Sequence, residues 1–171
     1  MKGVLIVVGK TTDKRFEAII QEYIERIRHY IPFTIEVIPE LKNTKGLSQD
    51  EQKKREGEQI LKSLQAGDYI VLLDEHGSER TSMDFASWMQ KKMAAGPKRL
   101  VFIVGGPYGF SDAIHQKGNE DLPRAFILCK KGNEEISLSR MTLSHQMIRM
   151  FFVEQIYRAM TILNSEPYHH E

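Results

Sequence analysis

Three short apolar runs constrain this chain more than any other feature. Val4 to Val8, Tyr69 to Leu73 and Leu100 to Val104 each span five residues. They are far shorter than the roughly 20 residues a membrane-spanning helix needs. Their length and β-branched character suit strands buried on both faces. Between them the pattern turns helical. Phe16, Ile19, Ile20, Tyr23, Ile24 and Ile27 recur at helical spacing, so residues 13–30 are expected as an amphipathic helix capped by Asp13 or Thr12. Phe33 to Ile38 alternates like a half-buried strand and stops at Pro39. Ser48 is expected to cap a charged helix through Glu56 to about Gln65, with Ile60, Leu61 and Leu64 as its apolar face. Ser82 is expected to cap another, with Met83, Phe85, Ala86, Met89 and Met93 inward. This alternation implies an α/β domain with a mostly parallel sheet and right-handed crossovers. Ligands of such sheets sit beyond the carboxyl ends of the strands. Here those ends are Gly9, Leu73-Asp74, Gly105-Gly106 and Leu143.

The chain has 171 residues, which suits one domain. Lys and Arg number 24 against 23 Asp and Glu, so bulk charge does not attract nucleic acid and any basic patch must be local. The one cysteine, Cys129, excludes an intramolecular disulfide and any cysteine-based metal cluster, and no metal site is expected. The first apolar run is too short for a signal-peptide core and no small-residue cleavage pattern follows it, so the expected location is the cytoplasm, with no membrane partner.

Several motifs bear on chemistry. Gly9-Lys10-Thr11-Thr12 resembles half a phosphate-binding loop, but Val4 stands where the first glycine belongs. No G-x-G-x-x-G follows the first strand, which disfavours a Rossmann dinucleotide site. Asp74-Glu75-His76 reads as a solvated turn. Gly105-Gly106-Pro107-Tyr108-Gly109 ends a strand with paired glycines, which let a ligand approach the backbone closely, and Ser111 or Asp112 then caps a short helix. Ser137 to Leu143 carries small hydroxyls around Arg140, and its backbone could wrap a purine ring; an ordinary strand-to-helix loop capped by Ser144 fits equally well. Residues 145–164 form a helix with apolar residues on nearly every side, so a second subunit is expected to cover part of it. Arg149, Glu154 and Arg158 lie among them, with mutual pairing as their simplest arrangement. The tail ends Tyr168-His169-His170-Glu171, and a histidine there is an obvious proton acceptor at neutral pH. Lys117-Gly-Asn-Glu120 recurs as Lys131-Gly-Asn-Glu134, which suggests an insertion over 118–131 forming an edge strand.

Taken in order, the start Val4 to Gly9, Glu56-Gly57-Glu58, Leu73-Asp74, Val104 to Gly109, Ser137 to Thr142, His145-Gln146-Met147, Glu154 to Ala159 and Glu166-Pro167-Tyr168-His169 span nearly the whole chain. Together they resemble the RlmH type of SPOUT methyltransferase, which methylates N3 of a pseudouridine in 23S rRNA. The resemblance implies a SPOUT-type α/β knot: a mostly parallel sheet with helices on both faces and a C-terminal trefoil, in a single domain over 1–171. It implies S-adenosylmethionine as cofactor, with Leu73 and Gly105 lining its pocket and Leu138, Ser139, Arg140, Met141, Thr142 and Leu143 looped around it. It also implies a homodimer acting on 23S rRNA within the assembled ribosome. His169, with Tyr168, is then expected to position the base and help remove the N3 proton, and Arg158 to orient RNA or steady charge. The chain departs from the family pattern at the 118–131 stretch and at His170, where a basic residue is usual. Two other readings stay open: a knotted methyltransferase with a different RNA target, and a non-catalytic dimeric ribosome-binding module.

Overall fold

The computed structural model describes residues 1–111, 114 and 134–170. The elements are β1 (Lys2–Val8), α1 (Lys14–Arg28), β2 (Phe33–Ile38), α2 (Gln49–Ser63), β3 (Asp68–Glu79), α3 (Ser82–Ala95), β4 (Arg99–Val104), β5 (Glu134–Ser137) and α4 (Met147–Leu163). The inferred insertion at 118–131, and Asp112 as a cap, lie outside the described residues. So does the chain's route from residue 114 to β5, on which a trefoil depends.

The strands form one parallel sheet in the order β2-β1-β4-β3-β5. Successive side chains of a strand point to opposite faces, and both faces are covered here. Leu5, Val7, Leu100, Phe102 and Val104 pack with α1, α3 and α4. Val4, Ile6, Val8, Val101 and Ile103 pack with Ile60 and Leu64 of α2 and its continuation, and with Phe110 and Ile114. This two-sided burial explains the unbroken apolar runs in the sequence. Each fully buried aliphatic side chain contributes about 1.5–3 kcal/mol.

Helix starts follow their side-chain caps. The Asp13 carboxylate accepts from Arg15 N, and Ser48 with Glu51 forms a reciprocal capping box. The α3 cap is Thr81, not Ser82. Thr81 has extended backbone geometry and its hydroxyl accepts from Asp84 N at 3.1 Å, while the Ser82 hydroxyl turns to Gln155 Oε1 at 3.0 Å. With that start α3 turns Phe85, Ala86, Trp88 and Met89 inward, and Met83, expected inside, faces out.

The expected turn at Asp74 to His76 is instead part of a long β3. Leu73 and Ser78 both register with Ile136 of β5, so residues 74–77 bulge from the ladder. Gly77 makes this possible, because a Cβ there would stand 2.6 Å from the Glu135 carbonyl carbon. The apolar breadth of α4 is used mainly within the chain, because α4 packs against both α1 and α3. What remains uncovered is Met147 and Phe151, at 36% and 41% exposure.

Candidate active site

A cleft of about 590 Å³ opens at the bulge within β3, beyond the end of β4 and beside the segment that follows β5. Its walls include Leu73 and Asp74 of β3, Val104 to Phe110, the segment Leu138, Ser139, Met141, Thr142 and Leu143, and His145 and Ile148 of the α4 entry. Gln49 and Lys53 of α2 reach its lip. Ligand pockets commonly span about 300–1,000 Å³.

Each wall is held by identifiable contacts. The glycine-rich segment closes as a turn in which Gly109 N donates to Gly106 O at 3.0 Å, and Gly109 takes a positive φ of 77°. Behind it lies Glu56 of α2, buried at 4% exposure. A Cβ on residue 106 would overlap the Glu56 carboxylate, so any larger residue there requires the Glu56 side chain to move. Burial pushes the Glu56 carboxyl above its ordinary range. On the opposite wall Ser139 Oγ accepts from Met141 N at 3.0 Å, and the Thr142 hydroxyl donates to Glu75 Oε2 at 3.3 Å, tying this segment to the β3 bulge. Ser144 Oγ accepts from Met147 N at 3.2 Å in the turn that leads into α4, whose cap position is held by Gln146 without a side-chain capping bond. Arg140, expected in this wall, does not line the cleft; its side chain is exposed and reaches toward Glu79, 3.4 Å off.

Arg149 does not pair with Glu154 or Arg158. It is buried at 1% exposure and donates to Val8 O at 2.6 Å, Gly9 O at 3.0 Å and Thr11 Oγ1 at 3.2 Å. Gln146 adds a second clamp, accepting from Thr12 N and donating to Lys10 O. The segment after β1 is therefore an anchored support for α4, not a phosphate cradle. Burial, followed by the charge of Arg149, depresses the His145 pKa.

The second group of expected residues gathers at the other end of α4. Arg158 donates to Glu154 Oε1 at 2.6 and 3.0 Å, and its guanidinium lies 4.8 Å from the Tyr168 ring centre. The Tyr168 hydroxyl donates to Glu154 Oε1 and meets the Tyr23 hydroxyl, both at 3.1 Å. Burial, then the Tyr23 hydrogen bond, raises the Tyr168 pKa far above its ordinary value. Arg158 Nη1 lies 3.3 Å from His169 Nδ1. A guanidinium can only donate, so Nδ1 accepts and the ring hydrogen sits on Nε2. The tail is also pinned to α1 by Tyr30, whose hydroxyl donates to Glu166 at 2.7 Å; that bond pushes the Tyr30 pKa up to about 12.

His169, Tyr168 and Arg158 thus come together, as do Leu73, Gly105, Leu138, Ser139, Met141, Thr142 and Leu143, but at separate places, and Arg140 joins neither group. Ile148 lines the cleft and Arg158 stands ten residues along the same helix. At 1.5 Å per residue that is about 15 Å. Sequence reasoning missed Tyr23, which carries the ordinary spacing of a core residue, and Glu56, whose burial no periodicity signals. Among the described residues no cluster of histidine, cysteine and carboxylates is arranged to hold a metal.

Comparison with known proteins bears directly on these two sites. The ribosomal RNA large subunit methyltransferase H of Parabacteroides distasonis is 59% identical over 171 residues, covering 100% of both chains. The protein of the same name from Bacteroides thetaiotaomicron is 57% identical and that from Porphyromonas gingivalis 52%, again over 100% of both chains. These matches include the 118–131 stretch. The family model described as Predicted SPOUT methyltransferase matches residues 1–169. The chain therefore belongs to the SPOUT methyltransferase family.

Proposed function

We propose that this chain methylates N3 of a pseudouridine in 23S rRNA of the assembled ribosome, in the cytoplasm, using S-adenosylmethionine. The observation that carries the reading is the cleft at the strand ends, walled by glycine backbone on one side and by the 138–143 segment on the other, in a chain whose full-length relatives are named rRNA methyltransferases. Its size and its apolar walls of Leu73, Val104, Leu138, Leu143 and Ile148, with polar lips, fit a nucleoside-bearing cofactor. Leu73, Gly105 and the backbone of 138–143 would hold it, with the C-terminal segment threaded as the family's trefoil. When bound, the cofactor supplies an electrophilic methyl group on a sulfonium.

The 15 Å between the cleft and the tail cluster supports a homodimer. Met147, Phe151, Glu154 and Arg158 follow one helical stripe along α4. A two-fold, antiparallel pairing of that stripe brings the His169 end of one subunit beside the cleft of its partner. The tail residues then orient the target base for in-line attack on the methyl carbon. N3 must lose its imide proton as it attacks. His169 can take that proton at Nδ1 only after its contact with Arg158 opens, and Arg158 then steadies the developing charge. Tyr168, with its raised pKa, acts as a hydrogen-bond donor.

The test uses ribosomes from a strain lacking the enzyme, incubated with the purified chain and S-adenosylmethionine, followed by nucleoside mass spectrometry. N3-methylpseudouridine is the expected product. Methylation of a different nucleoside would favour another knotted RNA methyltransferase. Failure to bind S-adenosylmethionine in calorimetry would favour a non-catalytic ribosome-binding module.

A further inference from the structure

Tyr108 is a large aromatic side chain held out toward solvent on a stiff support. It occupies the third position of the turn from Gly106 to Gly109, with Pro107 before it and a 3.0 Å hydrogen bond closing the turn. Proline fixes the backbone at the second position and glycine suits the fourth. The turn also folds back on its own base, since a Cβ on Gly105 would lie 3.2 Å from the Gly109 carbonyl carbon. From behind it is buttressed by buried Glu56. The residue is 42% exposed, and its hydroxyl bonds to no described residue. Lys53 lines the same cleft and forms no ion pair among the described residues. Across the cleft Met141 is 78% exposed.

Tyr108 and Met141 together give the cleft an uncovered apolar surface, which fits a surface kept for a partner. Unpaired RNA bases stack on exposed aromatic rings, while nearby lysines meet the phosphates. An aromatic side chain has few rotatable bonds, and a backbone already fixed in a closed turn lowers the entropy lost on stacking further. On the reading that the chain methylates ribosomal RNA, we propose that Tyr108 is a stacking platform for an unpaired RNA base at the mouth of the cofactor cleft, with Lys53 meeting the adjoining phosphate. The tyrosine positions the RNA and does not touch the reacting atoms.

Steady-state methylation of ribosomes from a strain lacking the enzyme, measured over a range of ribosome concentrations, tests this with Tyr108→Ala, Tyr108→Phe and Tyr108→Trp. Calorimetry of S-adenosylmethionine with each free variant is the second readout. Tyr108→Ala is expected to raise the ribosome KM on the order of tenfold, with the cofactor Kd held within about twofold, whereas the phenylalanine and tryptophan variants keep the original KM. An unchanged KM for Tyr108→Ala overturns the proposal. A loss of cofactor affinity in place of a KM effect overturns it too, and means that Tyr108 serves the cofactor from its place in the cleft wall. If Tyr108→Phe fails as badly as Tyr108→Ala, the hydroxyl rather than the ring is responsible and stacking is refuted. If the unaltered chain leaves ribosomes unmethylated, the proposed function itself falls and this inference with it. Normal methylation by the unaltered chain with a null result for Tyr108→Ala removes this inference alone.

Discussion

Replacing Asp68 with alanine is expected to destabilise the chain by about 3–5 kcal/mol. Asp68 and Arg99 are neighbours across the β3–β4 ladder at the amino edge of the sheet. The guanidinium grips the carboxylate with two bonds, Nε to Oδ1 at 2.8 Å and Nη2 to Oδ2 at 2.5 Å. The side chains are only 1% and 10% exposed. Asp68 Oδ2 also accepts from Gln65 N, and Arg99 reaches Ser63 O and Glu36, so one ion pair joins the end of α2 to three strands. Removing the carboxylate leaves a buried guanidinium without its main partner, which costs far more than the net value of the pair. Urea unfolding measures the loss. With a slope of about 2 kcal/mol per molar urea, the midpoint falls by about 1.5–2.5 M. Asp68→Leu combined with Arg99→Met removes both charges and is expected to recover roughly half or more of the loss. The cleft lies at the opposite edge of the sheet, so cofactor affinity of the folded fraction stays unchanged. A single-variant cost below about 1 kcal/mol would mean that the pair behaves as a solvated surface bridge, and the reasoning would be wrong.

Three more predictions address the site and its supports. His169→Ala is expected to lower kcat on the order of a hundredfold, with cofactor Kd unchanged; full turnover with ribosome and cofactor both saturating would remove His169 from the reaction. Gly77→Ala sets a Cβ 2.6–2.8 Å from Glu135 and Ile136 backbone that cannot swing aside, so it is expected to cost about 1–3 kcal/mol and to weaken cofactor binding, both read by urea unfolding and calorimetry. The hydrogen bond from Arg15 holds the Asp13 pKa at about 2, against an ordinary 3.8. A depressed folded-state pKa means that this cap's stabilisation is complete above the ordinary value and is lost as pH falls through about 2. An NMR titration of the Asp13 carboxyl that gave the ordinary value would disprove the cap's ionic character.

Much of the fold was legible because a strand buried on both faces leaves an unbroken apolar run, as at Val4 to Val8. The caps at Asp13 and Ser48 were legible because they act over three residues or fewer. What escaped the sequence depended on contacts between distant segments. Gly77 looks like any turn glycine until the β5 backbone is laid against it. Arg149 looks like one of three charges on a helix, but its partners are carbonyls about 140 residues earlier. The cleft residues could be named in advance from the family resemblance, and so could the tail residues. Their separation along α4 could not, because it emerges only when the tail folds back onto Arg158 and Glu154.

Helix α4 links the cleft near its start to the tail cluster near its end, and on the function proposed above its pitch works as a ruler. A single-residue deletion between Ile148 and Arg158 would shorten the separation by about 1.5 Å and rotate one end about 100° relative to the other. In the two-fold assembly proposed above the same ruler is read twice, once by each subunit, so both reaction centres would be misaligned together. Substitutions along α4 can be absorbed one at a time by local repacking, but a change in its length cannot.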